Sequence, residues 1–318
     1  MRLVFMGTGE IALPSLHWLI QSQGALGFDL VGVFTQPDKP VGRKQILTPP
    51  EVKVIAEAAG IPVFQPERLR KDEMALKNFS DLEPDLAVVM AYGQILPSAI
   101  LETPQISCVN LHASLLPRHR GASPIQAAIR DGDEASGITL MHVEPKLDSG
   151  DMILRESIPI GPEETGGLLH DRLAELGPSL LGRGLPLLFS GSAPREAQDE
   201  SFVTYAGKLE RIDGHIDWSK NATEIERLIR AYDPWPGTYS NFPMEGGPKK
   251  LKIFPTVEVG GNTPGSPGSI VAEDGALRVC CREGSLLLTG AIQLEGKKRL
   301  PVKEWLRGFS LSPGTILQ

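Results

Sequence analysis

The sequence LVFMGTGEIALPSLHWLIQ, residues 3–21, places an apolar run, a glycine-containing turn and a helical segment in direct succession. The run LVFMG at 3–7 predicts a buried strand, and the residues from about Ile11 to Gln21 predict a helix. A strand, a tight turn and a helix in this order are typical of the first unit of a parallel α/β sheet.

The same alternation continues through the first half of the chain. Further strands are predicted at 30–34, 62–66, 86–90 and 108–112, and helices at about 50–60 and 72–79. Alternation of this kind predicts an α/β fold with a mostly parallel sheet covered by helices. In such a sheet ligands gather at the carboxyl ends of the strands.

A change in composition predicts two domains. Residues 190–205, SGSAPREAQDESFVTY, lack apolar periodicity and are rich in small and polar residues. We therefore expect a catalytic domain at 1–189, a linker at 190–207 and a second domain at 208–318. The second domain combines one helix, 221–232, capped by Asn221 or Thr223, with about five short β-type runs. That content predicts a small β-barrel of the oligonucleotide-binding type.

The charge of the chain is unevenly distributed. The net charge is −7, but the residues from Leu209 onward hold 14 Lys and Arg against 13 Asp and Glu, so the acidity belongs to the first domain. A broadly basic nucleic-acid binder is disfavoured. Any polyanionic partner would have to use local basic clusters and the second half.

Neither a membrane segment nor an export signal is evident in the sequence. The longest apolar runs, such as LAVVM at 86–90, are far shorter than the ~20 residues that span a bilayer. A cytoplasmic protein is expected. The three cysteines lack zinc-site spacing and are expected to be reduced, with one of Cys280 and Cys281 facing the core and the other facing solvent. The histidines show no metal-ligand spacing either, so no metal is expected.

The glycines after the first strand resemble part of a dinucleotide-binding motif. Gly7-x-Gly9-x-x-Ala12 has nearly the required spacing. The motif also needs an acidic residue at the end of the second strand, and that strand ends in Phe34, Thr35 and Gln36. We therefore expect no NAD, and interpret the glycines as a tight strand-to-helix turn.

The stretch CVNLHASLLPRHRGASPIQ, residues 108–126, carries the candidate chemistry. Asn110 and His112, at i and i+2, project from one face of a strand that ends near them. Asp148, in HVEPKLDSGDM at 142–152, lies in a loop that can return to the same point. Amide, imidazole and carboxylate together suit acyl transfer to an amine, where donors stabilise an oxyanion and a pair relays a proton.

Each of these residues also has a structural interpretation. An Asn-x-His pair in a strand commonly satisfies buried backbone groups, and an Asp in Asp-Ser-Gly commonly forms a turn. His119, between two arginines, is expected on the surface. The residues alone leave these alternatives open.

A longer pattern resembles the 10-formyltetrahydrofolate-dependent formyltransferases. It comprises Asn110-x-His112-x-Ser114-Leu115-Leu116-Pro117, Arg118-x-Arg120-Gly121, Pro124-Ile125-Gln126 and Leu147-Asp148-x-Gly150-Asp151. The resemblance implies a Rossmann-like catalytic sheet without a dinucleotide. It also departs in two places, since His119 stands where the family usually has a large aromatic residue and Ser123 where it has alanine.

The resemblance implies a role for each part of the pattern. Asn110 would bind the formyl oxygen, a charged His112 would stabilise the oxyanion, and Asp148 would hold His112 and assist proton movement. The co-substrate 10-formyltetrahydrofolate would contact two segments, Ser114, Leu115, Leu116 and Pro117, and Gln94, Ile95 and Leu96, whose backbone would line the pterin pocket.

One branch of this family resembles only about the first 200 residues of the chain. The branch that resembles the whole chain acts on charged initiator methionyl-tRNA. It formylates the α-amino group of the methionine for translation initiation. Lys39, Arg43 and Lys44 lie in the loop 35–53, TQPDKPVGRKQILTPPEVK, whose prolines disfavour a helix. The resemblance implies that this loop wedges into the acceptor end of the tRNA.

Three alternatives are compatible with the same catalytic pattern. The enzyme could formylate another amine, such as a nucleotide-linked amino sugar, or it could hydrolyse formyl folate. The chain could also be a tRNA-binding module with an inactive catalytic domain, although intact Asn110, His112 and Asp148 argue against that. The expected partners are the tRNA and the folate, with no membrane, and the expected state is a monomer.

Overall fold

The computed structural model describes residues 1–42, 44–309, 311–312 and 314–318. The chain forms two compact units. The first comprises Met1–Gly121, Ser136–Ile158 and His170–Ala206, and the second comprises Ala122–Ala135, Pro159–Leu169 and Gly207–Gln318.

The strands and helices are numbered in chain order. The strands are β1 Arg2–Gly7, β2 Asp29–Phe34, β3 Lys39–Val41, β4 Ile46–Thr48, β5 Val63–Phe64, β6 Leu86–Met90, β7 Ser107–His112, β8 Arg120–Gly121, β9 Ala135–His142, β10 Met152–Pro159, β11 Tyr205–Ala206, β12 Thr238–Phe242, β13 Lys249–Ile253, β14 Val257–Gly260, β15 Ile270–Glu273, β16 Ala276–Cys280, β17 Ser285–Leu288, β18 Ala291–Leu294 and β19 Leu300–Pro301. The helices are α1 Leu13–Leu26, α2 Glu51–Ala58, α3 Glu73–Asp81, α4 Ser98–Leu101, α5 Pro124–Asp131, α6 Gly166–Ala174, α7 Leu176–Phe189, α8 Ala222–Ala231 and α9 Val302–Gly308.

The first unit is built on a central sheet. In the described part of the chain this sheet has seven strands in the order β10-β9-β7-β6-β1-β2-β5. The pairs β5/β2, β2/β1, β1/β6 and β6/β7 are parallel, while β9 runs antiparallel to β7. Every residue of β6 is buried, as expected for a strand in the middle of a parallel sheet. The predicted α/β fold with a mostly parallel sheet is confirmed.

Local signals account for several element boundaries in this unit. Helix α1 ends at Gly27, whose φ of 70° is left-handed and whose N–H donates to the carbonyl of Gln23. Helix α3 begins after Asp72, whose side chain accepts from the N–H of Ala75 at 2.9 Å. The start of α3 at Glu73 agrees with the helix predicted near 72–79, whereas α1 continues to Leu26, beyond the end predicted at about Gln21.

The second unit contains antiparallel sheets around an apolar core. Among its described residues, one four-stranded sheet has the order β12-β13-β18-β19 and another the order β14-β17-β16-β15. Side chains from both sheets, α8 and α9 share one cluster, including Leu251, Leu286, Ile229 and Trp305. The predicted second domain of one main helix and small antiparallel strands is confirmed.

Helix α8 begins with the predicted cap. The side chain of Asn221 accepts from the N–H of Glu224 at 2.8 Å, and the Glu224 carboxylate accepts from the N–H of Asn221 at 3.1 Å. This reciprocal pair is a capping box, which satisfies two backbone donors that the helix leaves free. Asn221, rather than Thr223, is the capping residue.

The expectation for the two adjacent cysteines is wrong. Cys280 and Cys281 are both buried, so neither faces solvent; Cys281 lies in the core of the second unit, and its neighbour Cys280 lies on the other face of the strand. The segment at Pro264 covers the second face, where its carbonyl oxygen lies 3.6 Å from the Cys280 sulfur. Burial and the neighbouring Cys280 raise the pKa of the Cys281 thiol to about 11.

Residues 190–206 are structured and bonded to the first unit. Glu196 bridges to Met152, and β11 pairs in parallel with β8. The boundaries 1–189, 190–207 and 208–318 stay a prediction. Among the described residues there is no helix long and apolar enough to cross a membrane.

His142, at the end of β9, should make stability depend on pH. Its Nδ1 lies 2.7 Å from the Ser107 hydroxyl oxygen, and its buried Nε2 has no hydrogen-bond partner in the described chain. Burial first, and then the positive charge of Arg195, lower the pKa of His142 below 6.5, whereas Asp151 acts in the opposite direction. The folded state therefore disfavours the charged ring.

We expect the free energy of unfolding to fall as the pH is lowered from about 6.5, because the unfolded histidine then binds a proton that the folded one does not. A His142→Gln variant should lack this component. Urea unfolding between about pH 5 and pH 7.5 measures it as a slope. A variant with the same slope as the parent protein would show that another group is responsible.

Candidate functional site

Asn110 and His112 lie at the carboxyl end of β7, beside β6. Val89 pairs with Asn110, so β6 and β7 end at the same edge of the sheet. The segment after β6, residues 91–97, contains Gln94, Ile95 and Leu96. Because parallel strands present their carboxyl ends at one edge, the two predicted regions lie at neighbouring strand ends.

The His112 ring has a polar neighbour at each nitrogen atom. It is buried, and its Nε2 donates to the carbonyl oxygen of His119 at 3.0 Å. Its Nδ1 lies 3.8 Å from Oδ2 of Asp148. That distance is too long for a hydrogen bond but short enough for an ion pair. The structure thus brings His112 and Asp148 together, and a backbone carbonyl completes the arrangement.

Asp148 is held by a backbone group. Its Oδ2 accepts from the N–H of Gly121 at 2.8 Å. Asp148 has a φ of 47°, in the left-handed region that few non-glycine residues adopt. Strand β9 ends opposite Val109, three residues before His112, and the loop 143–151 then brings the carboxylate to the ring.

The expectation that His119 lies on the surface is wrong. Its side chain is buried, and its N–H donates to the Thr204 hydroxyl oxygen at 2.8 Å. The neighbouring Arg120 is also buried, with its Nη2 bonded to Glu200 at 2.9 Å. The flanking arginines suggested exposure, whereas the segment 198–204, distant in sequence, covers both residues.

Asn110 presents a side-chain amide beside this pair. Asn110 is half-buried, and its amide makes no hydrogen bond within the described chain. Since His112 is two residues further along the same strand, both side chains face the same side of the sheet. An available amide next to a restrained imidazole and carboxylate can bind a polarised carbonyl oxygen.

The segment Ser114–Pro117 is largely engaged within the protein. Buried Ser114 donates from its hydroxyl to the Arg118 carbonyl at 2.7 Å, and its own carbonyl accepts from Thr139 at 2.7 Å. Leu116 is buried with Met141 and Met152. Leu115 and Pro117 are half-buried and offer more surface to a ligand. Folate contact by these four residues stays a prediction.

The Gln94 side chain braces a neighbouring turn. Its Oε1 accepts from the N–H of Leu69 at 2.7 Å, and its Nε2 donates to the Pro66 carbonyl at 2.8 Å. Ile95 is 72% exposed, and Leu96 is half-buried against the core of the first unit. The Gln94 amide is thus engaged within the protein, and pterin contact by residues 94–96 stays a prediction.

The glycines after β1 allow close packing between strand ends. A Cβ on Gly7 would lie 3.0 Å from the Met90 carbonyl oxygen, and one on Gly9 would lie 3.2 Å from the Ala91 Cβ. Between them the Thr8 hydroxyl donates to the Tyr92 carbonyl at 3.1 Å and accepts from the N–H of Gln36. Hydrogen bonds between strand ends, not an open cradle, explain this turn.

The basic loop forms a hairpin. Strands β3 and β4 pair with Lys39 opposite Thr48 and Val41 opposite Ile46. Lys39 and Lys44 are exposed, and Val41, Ile46 and Leu47 are each more than half exposed. Arg43 lies outside the described residues. The hairpin therefore combines positive charge with exposed apolar side chains.

Two further observations concern metals and cysteine chemistry. Among the described residues, no group of three or more His, Cys, Asp or Glu side chains could hold a metal ion. Cys108, on β7 two residues before Asn110, is buried, and burial raises the pKa of its thiol to about 12. A thiol with so high a pKa is a poor nucleophile at neutral pH.

Family models match both parts of the chain. The model described as formyl transferase matches residues 1–185, and the model described as formyl transferase, C-terminal domain, matches residues 208–310. The first alone covers more than half of the chain. The fold and the match together define a formyl-transferring enzyme.

The relatives identify the branch of that family. The methionyl-tRNA formyltransferase of Akkermansia muciniphila is 49% identical over 313 residues, which are 97% of this chain and 96% of the relative. The methionyl-tRNA formyltransferase of Geobacter sulfurreducens is 45% identical over 319 residues, 100% of this chain and 96% of the relative. The chain belongs to the methionyl-tRNA formyltransferase family.

Solved structures share the fold at low identity. WlaRD, a sugar 3N-formyl transferase whose crystal structure was obtained in the presence of dTDP and 5-N-formyl-THF, has a TM-score of 0.66 and 16% identity, over 94% of this chain and 99% of that one. HypX from Aquifex aeolicus in complex with tetrahydrofolic acid has a TM-score of 0.58 and 18% identity, over 96% of this chain and 47% of that one. Formyl transferases with other acceptors thus share this architecture.

Gly150 offers a test of the loop that carries Asp148. A Cβ at Gly150 would lie 1.9 Å from the His142 carbonyl oxygen, so Gly150→Ala must move the loop. We expect kcat for formyl transfer to fall by about 100-fold, the effect of a misplacement of about 1 Å.

The adjacent Ser149→Ala is the matched control, because it removes only one exposed hydrogen bond to the Lys146 carbonyl. Steady-state kinetics and thermal unfolding on both variants give the comparison. Equal kcat values in the two variants would count against the importance of this loop.

Proposed function

We propose that this chain transfers the formyl group of 10-formyltetrahydrofolate to the α-amino group of methionyl initiator tRNA, with Asn110, His112 and Asp148 as the catalytic residues. The observation that carries the assignment of residues is the convergence of buried His112 and half-buried Asp148 at the strand end where Asn110 presents an available amide. The products are N-formylmethionyl-tRNA and tetrahydrofolate.

The reaction begins when the neutral amine of methionine attacks the formyl carbon. A new C–N bond forms and the formyl oxygen becomes an oxyanion, which N–H donors from Asn110 and His112 stabilise. Each preorganised donor of this kind contributes about 3 kcal/mol to the transition state. The Nε2 of His112 must first exchange the His119 carbonyl for the formyl oxygen, because both compete for one proton.

Collapse of the intermediate breaks the bond between the formyl carbon and N10 of the folate. The attacking nitrogen loses a proton and N10 gains one, so the transfer is neutral in protons overall. The Asp148 carboxylate lies 3.8 Å from the His112 ring and stabilises positive charge on it while the proton moves. The amine is itself the nucleophile, so the protein need not form a covalent intermediate.

The folate would lie along the ends of β6 and β7. Exposed Ile95 and the backbone of 94–96 would contact the pterin, and Leu115 and Pro117 would contribute the opposite side. Ser114 and Leu116 would act from within the protein by fixing this segment to Thr139.

The tRNA would contact the hairpin β3–β4 through Lys39, Arg43 and Lys44. Exposed cations attract backbone phosphates, and exposed apolar side chains can pack against unpaired bases at the acceptor end. The second unit adds exposed cations on β13, where Lys250 lies 4.4 Å from the centre of the Tyr239 ring. The enzyme would act as a monomer in the cytoplasm, where both substrates are available.

An acceptor competition assay tests this function. Purified protein with labelled formyl folate is offered methionyl initiator tRNA, uncharged initiator tRNA and a nucleotide-linked amino sugar. We expect label only on the charged tRNA. Label on the sugar with none on the tRNA would favour the alternative that the sugar-acting structural neighbours represent.

The His112→Ala variant tests the catalytic assignment. It removes the imidazole that faces Asp148, and we expect turnover to fall by at least about 100-fold while tRNA binding is retained. Filter binding of methionyl-tRNA and a transfer assay on the same preparation separate the two effects. His170→Ala, which removes a half-buried histidine paired with Asp171 away from the site, is the matched control. Unchanged turnover in His112→Ala would remove the assignment.

A Lys39→Ala/Lys44→Ala variant tests the hairpin. Both lysines are exposed, so the fold should be unaffected. We expect the KM for tRNA to rise. We also expect the slope of log K for tRNA binding against log salt concentration to become shallower by about 1 to 2, because each lost phosphate contact removes about one released counterion. The KM for formyl folate should not change. Equal losses for both substrates would contradict a role specific to tRNA.

A further inference from the structure

A segment distant in sequence connects the two loops that hold the catalytic pair. Residues 196–206 bridge to Met152 at one end and pair with β8 at the other. Between these points lies Gln198, which is 9% exposed. It therefore sits inside the first unit, next to the loop of Asp148 and the segment 119–121.

The Gln198 amide uses both of its ends. Its Nε2 donates to the carbonyl oxygens of Asp148 and Gly150, each at 2.9 Å. Its Oε1 accepts from Nε of Arg120 at 3.0 Å. A primary amide is the side chain that offers two donors and an acceptor in one plane, so this position requires Gln rather than Glu.

The bonded groups belong to the two halves of the catalytic arrangement. The Asp148 and Gly150 carbonyls fix the loop that carries the carboxylate. Arg120 lies between His119, whose carbonyl accepts from His112, and Gly121, whose N–H donates to Asp148. Gln198 thus joins the segment that restrains the imidazole to the loop that restrains the carboxylate.

Backbone strain makes such a restraint necessary. Asp148 has a φ of 47° and His119 a φ of 58°, and neither is glycine. Non-glycine residues in this region of φ are strained and persist only where neighbouring contacts enforce them. Buried Arg120, whose Nη1 has no hydrogen-bond partner in the described chain, depends on Gln198 and Glu200 for its orientation.

We propose that Gln198 is a positioning residue that sets the distance between His112 and Asp148 by bonding the Asp148 loop to Arg120. The inference rests on the proposed catalytic roles of His112 and Asp148. Gln198 does not itself contact the reacting atoms. It acts through the carboxylate, whose distance from the ring is 3.8 Å.

Two substitutions of Gln198 separate the effects of its three side-chain hydrogen bonds. Gln198→Met removes all three at similar volume, whereas Gln198→Glu keeps an acceptor for Arg120 and loses the two donors to the loop. We expect both variants to lower kcat by about 10- to 100-fold, as for a small misplacement of a catalytic group, and to leave both KM values within about twofold. Glu196→Gln, which alters only an exposed pair with Arg155, is the matched control.

A double-mutant cycle with Asp148→Asn tests the route of the effect. If Gln198 acts through Asp148, adding Gln198→Met to Asp148→Asn should lower kcat by no more than about threefold further. A purely structural role would multiply the two losses in full. Multiplied losses, or a wild-type kcat in Gln198→Glu, would overturn the proposal.

A readout without substrate distinguishes this proposal from the proposed function. The chain has six histidines, so the imidazole signals of His112 can be assigned in a nitrogen-15 spectrum by comparison with His112→Gln. We expect Gln198→Met to shift these signals and Glu196→Gln to leave them in place. Unshifted signals would overturn the positioning role of Gln198, whichever amine accepts the formyl group. Shifted signals with full turnover in Asp148→Asn would instead overturn the catalytic assignment.

Discussion

The hydrogen bond from the N–H of Gly121 to the Asp148 carboxylate joins the two loops on which the site depends. One loop follows β7 and supplies the His119 carbonyl that accepts from His112. The other follows β9 and supplies the carboxylate. A carboxylate near an imidazole is useful only when its position is fixed, and here a backbone donor fixes it independently of the ring.

The central sheet explains why the site lies where it does. Parallel strands β6 and β7 end together, so the loop at 91–97 and the pair Asn110 and His112 share one edge. On the other side of β6, the glycines after β1 let that strand end approach Met90 and Ala91 closely. The same turn in a dinucleotide-binding protein receives a pyrophosphate, whereas here the Thr8 hydroxyl bonds the strand ends to one another.

The sequence relatives and the structural neighbours bear on two separate questions, which are the reaction catalysed and the acceptor of the formyl group. The formyl transferase fold extends to proteins described as sugar formyltransferases, at 16% identity. Identity of 45 to 49% over nearly the full chain is shared with the methionyl-tRNA formyltransferases. Formyl transfer therefore follows from the fold and family together, and the choice of acceptor follows from the longer and closer resemblance.

The sequence by itself determined the local features. Apolar runs, capping residues such as Asp72 and Asn221, and the Asn110-x-His112 spacing are set by contacts within a few residues, so their patterns are readable. Only the tertiary structure decided the burial of His119 and Arg120, the second covered face at Cys280 and the amide bonds of Gln198. These depend on segments 16 to 85 residues away along the chain. No local pattern encodes which segment will cover a residue, because that depends on how the whole sheet and its loops pack.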